Sequence, residues 1–313
     1  MRCSSVCKGR FRLFRRLTLG FAVMAMASGV TIASDSKNAL NDPKMQQAIA
    51  LFRSIKWQDG PGTGQLGTIA EIKIPEDYRF TGQDGAKKWS ELNQNIPTNA
   101  EMGVLMPIDK SGWYIVFTYH DSGHVADDEK GSLDAAAIFE SLRQGNDAAN
   151  QERRQRGWAP LDLVGWQVPP AYDEATHNLV WALRVRGEGE EAINYNTKIL
   201  GRTGVMSANL VVSPEKFEGA IAPGKRLLAG YQFTAGSRYA EWKPGEKIAE
   251  YGLTGLITGG LVVAAAKSGL LAKLGILIAK FAKVIIIGVL ALGAGIAKFF
   301  RSIFGGGRAR SRL

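Results

Sequence analysis

The amino-acid sequence predicts an α+β domain, mainly an antiparallel sheet with flanking helices, followed by one or two carboxy-terminal transmembrane helices. Three observations predict it. Period-two strand patterns and capped helix patterns alternate between residues 34 and 250 without regular βαβ spacing. Three strand patterns between His177 and Val212 follow one another across short turns, as in a meander. From Gly252 to Leu313 there is no Asp or Glu, while apolar runs are punctuated by Lys and Arg.

The elements follow in order. Asp42-Pro43 with Met45, Ala48, Ile49, Phe52 and Ile55 combines a cap, a first-turn proline and an apolar stripe at helical spacing. Gly60-Pro61-Gly62-Thr63-Gly64 is expected to be a turn, because no Gly-Lys-Ser/Thr ending makes it a phosphate loop. Residues 68–75 then alternate as a strand with one wet face. In Gly112 to Tyr119, Trp113, Ile115, Phe117 and Tyr119 face one way and Tyr114, Val116 and Thr118 the other, which predicts a central strand covered on both sides. Ser132 is expected to cap a helix through Leu133, Ala136, Ile138, Phe139 and Leu142, interrupted at Gly145-Asn146 and ending in Glu152 to Arg156. The strand pattern from His177 to Arg186 places Leu179, Trp181, Leu183 and Val185 inward, with a turn at Gly187-Glu188-Gly189-Glu190. Residues 193–200 and 205–212 add two strands, Gly201-Arg202-Thr203-Gly204 their hairpin, and Ser213-Pro214-Glu215 opens a further helix.

The two ends describe location. Arg2, Lys8, Arg10, Arg12, Arg15 and Arg16 precede the apolar run Leu17 to Ala33, the order of a bacterial-type secretory signal peptide over 1–33. An uncleaved signal anchor is the rival reading. Residues 34–250 are then the exported domain and 251–313 a membrane anchor with a basic tail. The runs Gly252 to Ala266 and Val284 to Ala297 carry no charge, and Lys267, Lys273, Lys280, Lys283, Lys298 and Arg301 can snorkel beside them. One span or two both fit; a helix over 267–283 lying in the interface is a third arrangement.

The overall charge of +10 does not imply a nucleic-acid partner. Of 39 bases, six lie in 1–33 and nine in 251–313, so only 24 face all 29 acids in the middle, which is acidic. Cys3 and Cys7 both lie in the signal, so the exported form carries no thiol for a disulfide, catalysis or metal ligation.

Several stretches resemble a known family. They are Gly157-Trp158-Ala159-Pro160 through Gly165-Trp166, Pro169-Pro170-x-Tyr172-Asp173-x-x-Thr176-His177-x-Leu179-x-Trp181-Ala182, and Asn194-Tyr195-Asn196-Thr197-x-x-Leu200-Gly201-Arg202-x-Gly204-Val205. Gly236-x-Arg238-Tyr239-Ala240 and Ala249-Glu250-Tyr251-Gly252-Leu253 complete them. This is similar to a family of uncharacterised bacterial membrane-anchored proteins, a domain of unknown function, across most of residues 40–300. The resemblance implies an exported domain with a hydrophobic anchor and transfers no activity, cofactor or catalytic residue. By element order alone, the domain also looks like small secreted domains related to the photosystem extrinsic subunit and to Mog1.

Candidate chemistry is sparse. His120-Asp121-Ser122-Gly123-His124 with Asp127, Asp128 and Glu129 is the one histidine-acid cluster, and His120, His124, Asp127 and Asp128 offer the ligand types of a divalent metal. Gly123 argues instead for a solvated turn. His177 beside Tyr172-Asp173 is expected to be a hydrogen-bonded turn residue, and Arg202 a hairpin residue that could present an anion-binding tip. Ser90, Ser132, Ser207 and Ser213 have no nucleophile-elbow context. Trp57, Trp89, Trp113, Trp158, Trp166 and Trp181 are spaced as core anchors, whereas Trp242 with Tyr239 and Tyr251 suggests an interfacial aromatic belt.

The sequence therefore predicts no cofactor and no nucleic-acid partner. It points to a membrane-anchored protein of the bacterial inner membrane with its main domain in the periplasm, more a binding or envelope-assembly component than an enzyme. Two alternatives stand beside it. One is a metal-assisted periplasmic hydrolase using the His120/His124 loop. The other is a homo-oligomer or subunit of a membrane complex packed through Gly255, Gly259, Gly260, Gly288, Gly293 and Gly295.

Overall fold

The computed structural model describes residues 43–95, 98–109 and 111–259. The signal over 1–33 and the apolar runs beyond Gly259 lie outside them, as do Gly260, Gly288, Gly293 and Gly295. Among the described residues no helix is long and apolar enough to cross a membrane.

The fold is α+β and its sheets are antiparallel throughout. Eight strands form the large sheet in the order β1 (Gln58–Asp59), β4 (Tyr78–Thr81), β5 (Glu101–Pro107), β6 (Tyr114–His120), β10 (Val205–Val212), β9 (Glu190–Leu200), β8 (Asn178–Gly187) and β7 (Asp162–Asp173). A smaller sheet of β11 (Tyr231–Phe233), β3 (Ala70–Ile74) and β2 (Gly62–Leu66) packs on one of its faces. There Leu66, Ile72 and Ile74 meet Phe80, Leu105, Ile115, Phe117, Met206 and Leu210, joined by Phe217, Ala220 and Leu227 of α4 (Phe217–Leu228). Fully burying each of these large side chains stabilises the fold by about 1.5–3 kcal/mol.

The opposite face is covered in two separate patches. At the β4–β5 side, α1 (Pro43–Arg53) and α2 (Gln83–Leu92) lay Met45, Ala48, Ala86, Trp89 and Leu92 against Val104, Met106 and Tyr114. At the β8 side, α3 (Ala135–Gln155) and α5 (Leu253–Thr258) bring Ile138, Leu253 and Ile257 onto Leu179, Trp181, Leu200 and Val205. The residues of β6, β10 and β9 between the patches are polar: Thr118, Ser207, Asn209, Asn194, Asn196 and Lys198.

Several sequence expectations shift. Gly62, Thr63 and Gly64 are not a turn but the start of β2, paired with β3 from Gly62↔Ile74 to Leu66↔Ala70. A Cβ at Gly64 would come within 2.7 Å of the Phe80 ring, so glycine lets that ring lie on the strand. Helix α3 is capped by Asp134, whose Oδ1 accepts from Ala136 and Ala137 N–H at 3.0 Å, rather than by Ser132. It runs unbroken through Gly145-Asn146, where Asn146 and Asn150 donate to the Leu161 carbonyl at 2.8 and 2.9 Å. Tertiary bonds there outweigh the weak helix propensity of Gly and Asn. Strand β7 holds Pro169 and Pro170 at the sheet edge, the position that tolerates residues without an N–H, and its pairing with β8 shifts register three times.

Residues 253–258, read from the sequence as the start of the anchor, form α5 and pack into the domain. The Glu129 carboxylate accepts from the Thr254 N–H at 2.9 Å, and Gly259 ends the helix in the left-handed conformation (φ 81°).

Candidate functional site

The central strand β6 ends at His120, and the chain then turns through Gly123. This glycine is required twice over. Its φ is +93°, and a Cβ would come within 2.9 Å of the Lys247 carbonyl oxygen and the Ile248 carbonyl carbon. The close approach lets His124 make a parallel bridge to Ile248, with His124 N–H to Lys247 O at 2.9 Å and Ala249 N–H to His124 O at 2.8 Å. The 236–251 segment is thereby strapped to the end of the sheet.

Above this bridge four rings form a column: Trp242, His124, Tyr239 and His177. His124 stacks on Tyr239 at 4.4 Å and on Trp242 at 4.7 Å, both with 21° between ring planes, and His177 lies 4.7 Å from Tyr239. Tyr172 donates to Asp127 Oδ2 at 3.0 Å and lies 3.2 Å from His177 Nδ1. With the one hydroxyl proton committed to the carboxylate, His177 is the donor in that second contact. Tyr239 donates to the Val125 carbonyl at 3.1 Å. Burial lowers the His124 pKa, against the pull of Asp127 and Glu246. Burial, with Asp127 and Asp128, pushes the Tyr239 hydroxyl up to about 12, and burial and the Asp127 hydrogen bond raise Tyr172 as well. The column is therefore closely packed, and its tyrosine hydroxyl stays protonated.

The hairpin 201–204 closes one side. Arg202 does not present a free tip: it pairs with both carboxylate oxygens of Glu246 and donates to the Gly236 carbonyl at 3.1 Å. That bond holds the Glu246 carboxyl down to about 2. Trp242 and Tyr239, expected in an aromatic belt, are engaged in the column.

The four sequence-predicted metal candidates are not gathered at one point. His124 is closed between two aromatic faces, Asp127 accepts from Tyr172, and Asp128 is exposed. His120 points to different surroundings, where burial and then Lys198 lower its pKa, opposed by Glu101. Among the described residues no three His, Asp or Glu side chains form a metal-holding group. His177 is the hydrogen-bonded turn residue that its neighbours suggested, in the left-handed region (φ 52°). Its meeting with His124 across Tyr239 had no signal in the sequence, because 53 residues separate the two histidines.

Beside the column lies an open recess of about 470 Å³, lined by Asn99, Tyr119, His120, Asp121, Lys247 and Tyr251 with neighbouring small residues and Glu250. Among the described residues the side chains of Asn99, His120, Asp121 and Glu250 make no hydrogen bond or ion pair, so the recess offers unengaged polar groups between two tyrosines.

The residues that carry the family resemblance, at 172–177, 201–204 and 236–252, meet at this rim. No curated protein matches the chain. Among solved structures, the cyanobacterial PsbP of Synechocystis aligns at 10% identity over 58% of this chain and 93% of that one, with a TM-score of 0.33. LpqN of Mycobacterium tuberculosis, described as involved in cell envelope biogenesis, aligns at 11% identity over 60% and 96%, with a TM-score of 0.28. Both superpositions are too loose to define a shared fold. Residues 58–293 match the family described as a protein of unknown function (DUF2167), and the chain belongs to that family.

Proposed function

We propose that this chain is an exported binding or envelope-assembly component, anchored in the bacterial inner membrane by residues beyond Gly259 with its main domain in the periplasm, and that it binds at the rim recess. The observation that carries the binding reading is the division of labour at the rim. Of the groups suited to catalysis, His124 is closed between two rings, His177 is held by a ring contact and a hydrogen bond, and Asp127 by a hydrogen bond, whereas Asn99, His120, Asp121 and Glu250 line open space and make no side-chain hydrogen bond or ion pair among the described residues. The location rests on the basic n-region with its apolar run, and on the acid-free apolar tail.

Metal analysis of the detergent-purified full chain tests the binding reading. No stoichiometric metal is expected. Stoichiometric zinc that disappears in His120→Ala and His124→Ala would replace it with the metal-assisted hydrolase. Alkaline carbonate should leave the protein in the membrane fraction, and reporters fused to the domain should be active only outside the cytosol. Crosslinking in native membranes reads the third alternative, a homo-oligomer or complex subunit held by the glycine-rich helices.

A further inference from the structure

The polar strip between the two helical patches contains a lysine with no counter-charge among the described residues. Register places Lys198 opposite Ser207, Ser207 opposite Thr118, and Thr118 opposite Glu101, while the next row sets Asn196 opposite Asn209. Lys198 donates to Ser207 Oγ, and its ammonium lies 5.9 Å from the centre of the Trp181 ring.

An ammonium has three donors, and here one is used. No other acceptor for Lys198 exists among the described residues, and none of their ion pairs includes it. Burial alone sets its pKa, which falls to about 8, and no carboxylate pulls it back. The other titratable groups of the row are His120 and Glu101, of which Glu101 takes the Thr98 N–H at 2.7 Å. Around Lys198, Thr118, Asn196 and Asn209 are half-buried rather than enclosed. The Asn196 and Asn209 amide nitrogens each give one proton to Asn194, to its carbonyl and its Oδ1 at 3.1 Å, and keep a second, while Asn209 Oδ1 is buried without a partner among the described residues. A desolvated cation with spare donors, set among amides and a hydroxyl, is the environment that an oxyanion completes.

We propose that Lys198, with Ser207, Thr118, Asn196 and Asn209, binds an anionic group, a carboxylate or a phosphate, of a ligand lying along the strip between the two helical patches. None of these five residues lines the rim recess, which meets the row only at His120, and the test below reads Lys198 itself rather than the recess.

Competitive acetylation of the full-length protein in neutral detergent at pH 8, read residue by residue by mass spectrometry, tests it. Inorganic phosphate, acetate and short-chain phosphatidylglycerol are the three probes. At least one should slow Lys198 acetylation several-fold while exposed Lys73 and Lys243 keep their rates. Protection by the lipid alone assigns the anion to a headgroup; protection by phosphate or acetate assigns it to a soluble ligand. Unchanged Lys198 acetylation with all three overturns the proposal. Lys198→Met supplies a second reading, because removing a desolvated amine should leave the fold intact and raise its melting temperature. The protecting probe should stabilise the wild type and not K198M; equal stabilisation of both would place the anion elsewhere and sink the site.

Discussion

The two faces of the large sheet are built from the same strands yet organised differently. Under the small sheet and α4, one continuous cluster runs from Leu105 through Ile115, Phe117, Met206 and Ala208 to Tyr195 and Ala182. On the other side the cover is split between the α1–α2 and α3–α5 patches, with hydroxyls, amides and Lys198 between them. Alternation along each strand produces both faces at once, so the polar strip coexists with a complete core one side chain away. The difference teaches where stability resides and where the molecule can bind without losing it.

The largest expected effect tests that division directly. Phe117→Ala, at a side chain with no exposed surface, should lower unfolding free energy by about 3–5 kcal/mol. Asn209→Ala, on the other face one strand away, should cost about 1 kcal/mol or less. Chemical denaturation of the two variants measures both, and comparable losses would break the comparison.

His124→Ala comes next, because it strips two ring contacts worth about 0.5–1.5 kcal/mol each. Hydrogen exchange should speed up at Ala249, whose N–H is bonded to the His124 carbonyl, while the Phe117 region stays protected. Uniform loss of protection would show that the strap and the core are one cooperative unit. Asp134→Ala should cost about 1 kcal/mol through the lost cap of α3, read as a shift of the denaturation midpoint.

The smallest effect at neutral pH is that of Glu246→Gln, and it grows informative in acid. The Glu246 carboxyl is depressed from 4.5 to about 2 by Arg202. Its stabilisation is therefore complete above the unfolded value and disappears as pH falls from about 4.5 towards 2. The wild type should lose stability across that window more steeply than the variant, and superimposable acid limbs would show that the pair does not hold the hairpin to the 236–251 segment.

Much of the fold was legible. The β8–β9–β10 meander was foreseen because Leu179-Trp181-Leu183 and the residues after Ile193 alternate cleanly, and the central position of β6 because both its faces are apolar. Strands β5 and β7 were not foreseen. Residues 101–106 are buried on both faces and show no alternation, and β7 carries two prolines and register shifts that only an edge accommodates. At the site, the turn at Gly123 and the structural role of His177 were readable from local chemistry. The column was not, because stacking of His124, Tyr239 and His177 joins three distant segments.

What the sequence determined alone is what depends on near neighbours and on composition: the strand and helix periods, the turns at Gly123 and Gly187 to Glu190, and the charge-segregated ends. Tertiary structure alone decided which polar groups are engaged. It set His124 between two rings and Arg202 against Glu246, and left Lys198 without a counter-charge among the described residues. The physical reason is that hydrogen bonds, ring contacts and desolvation act over a few ångströms in space, whatever the separation along the chain.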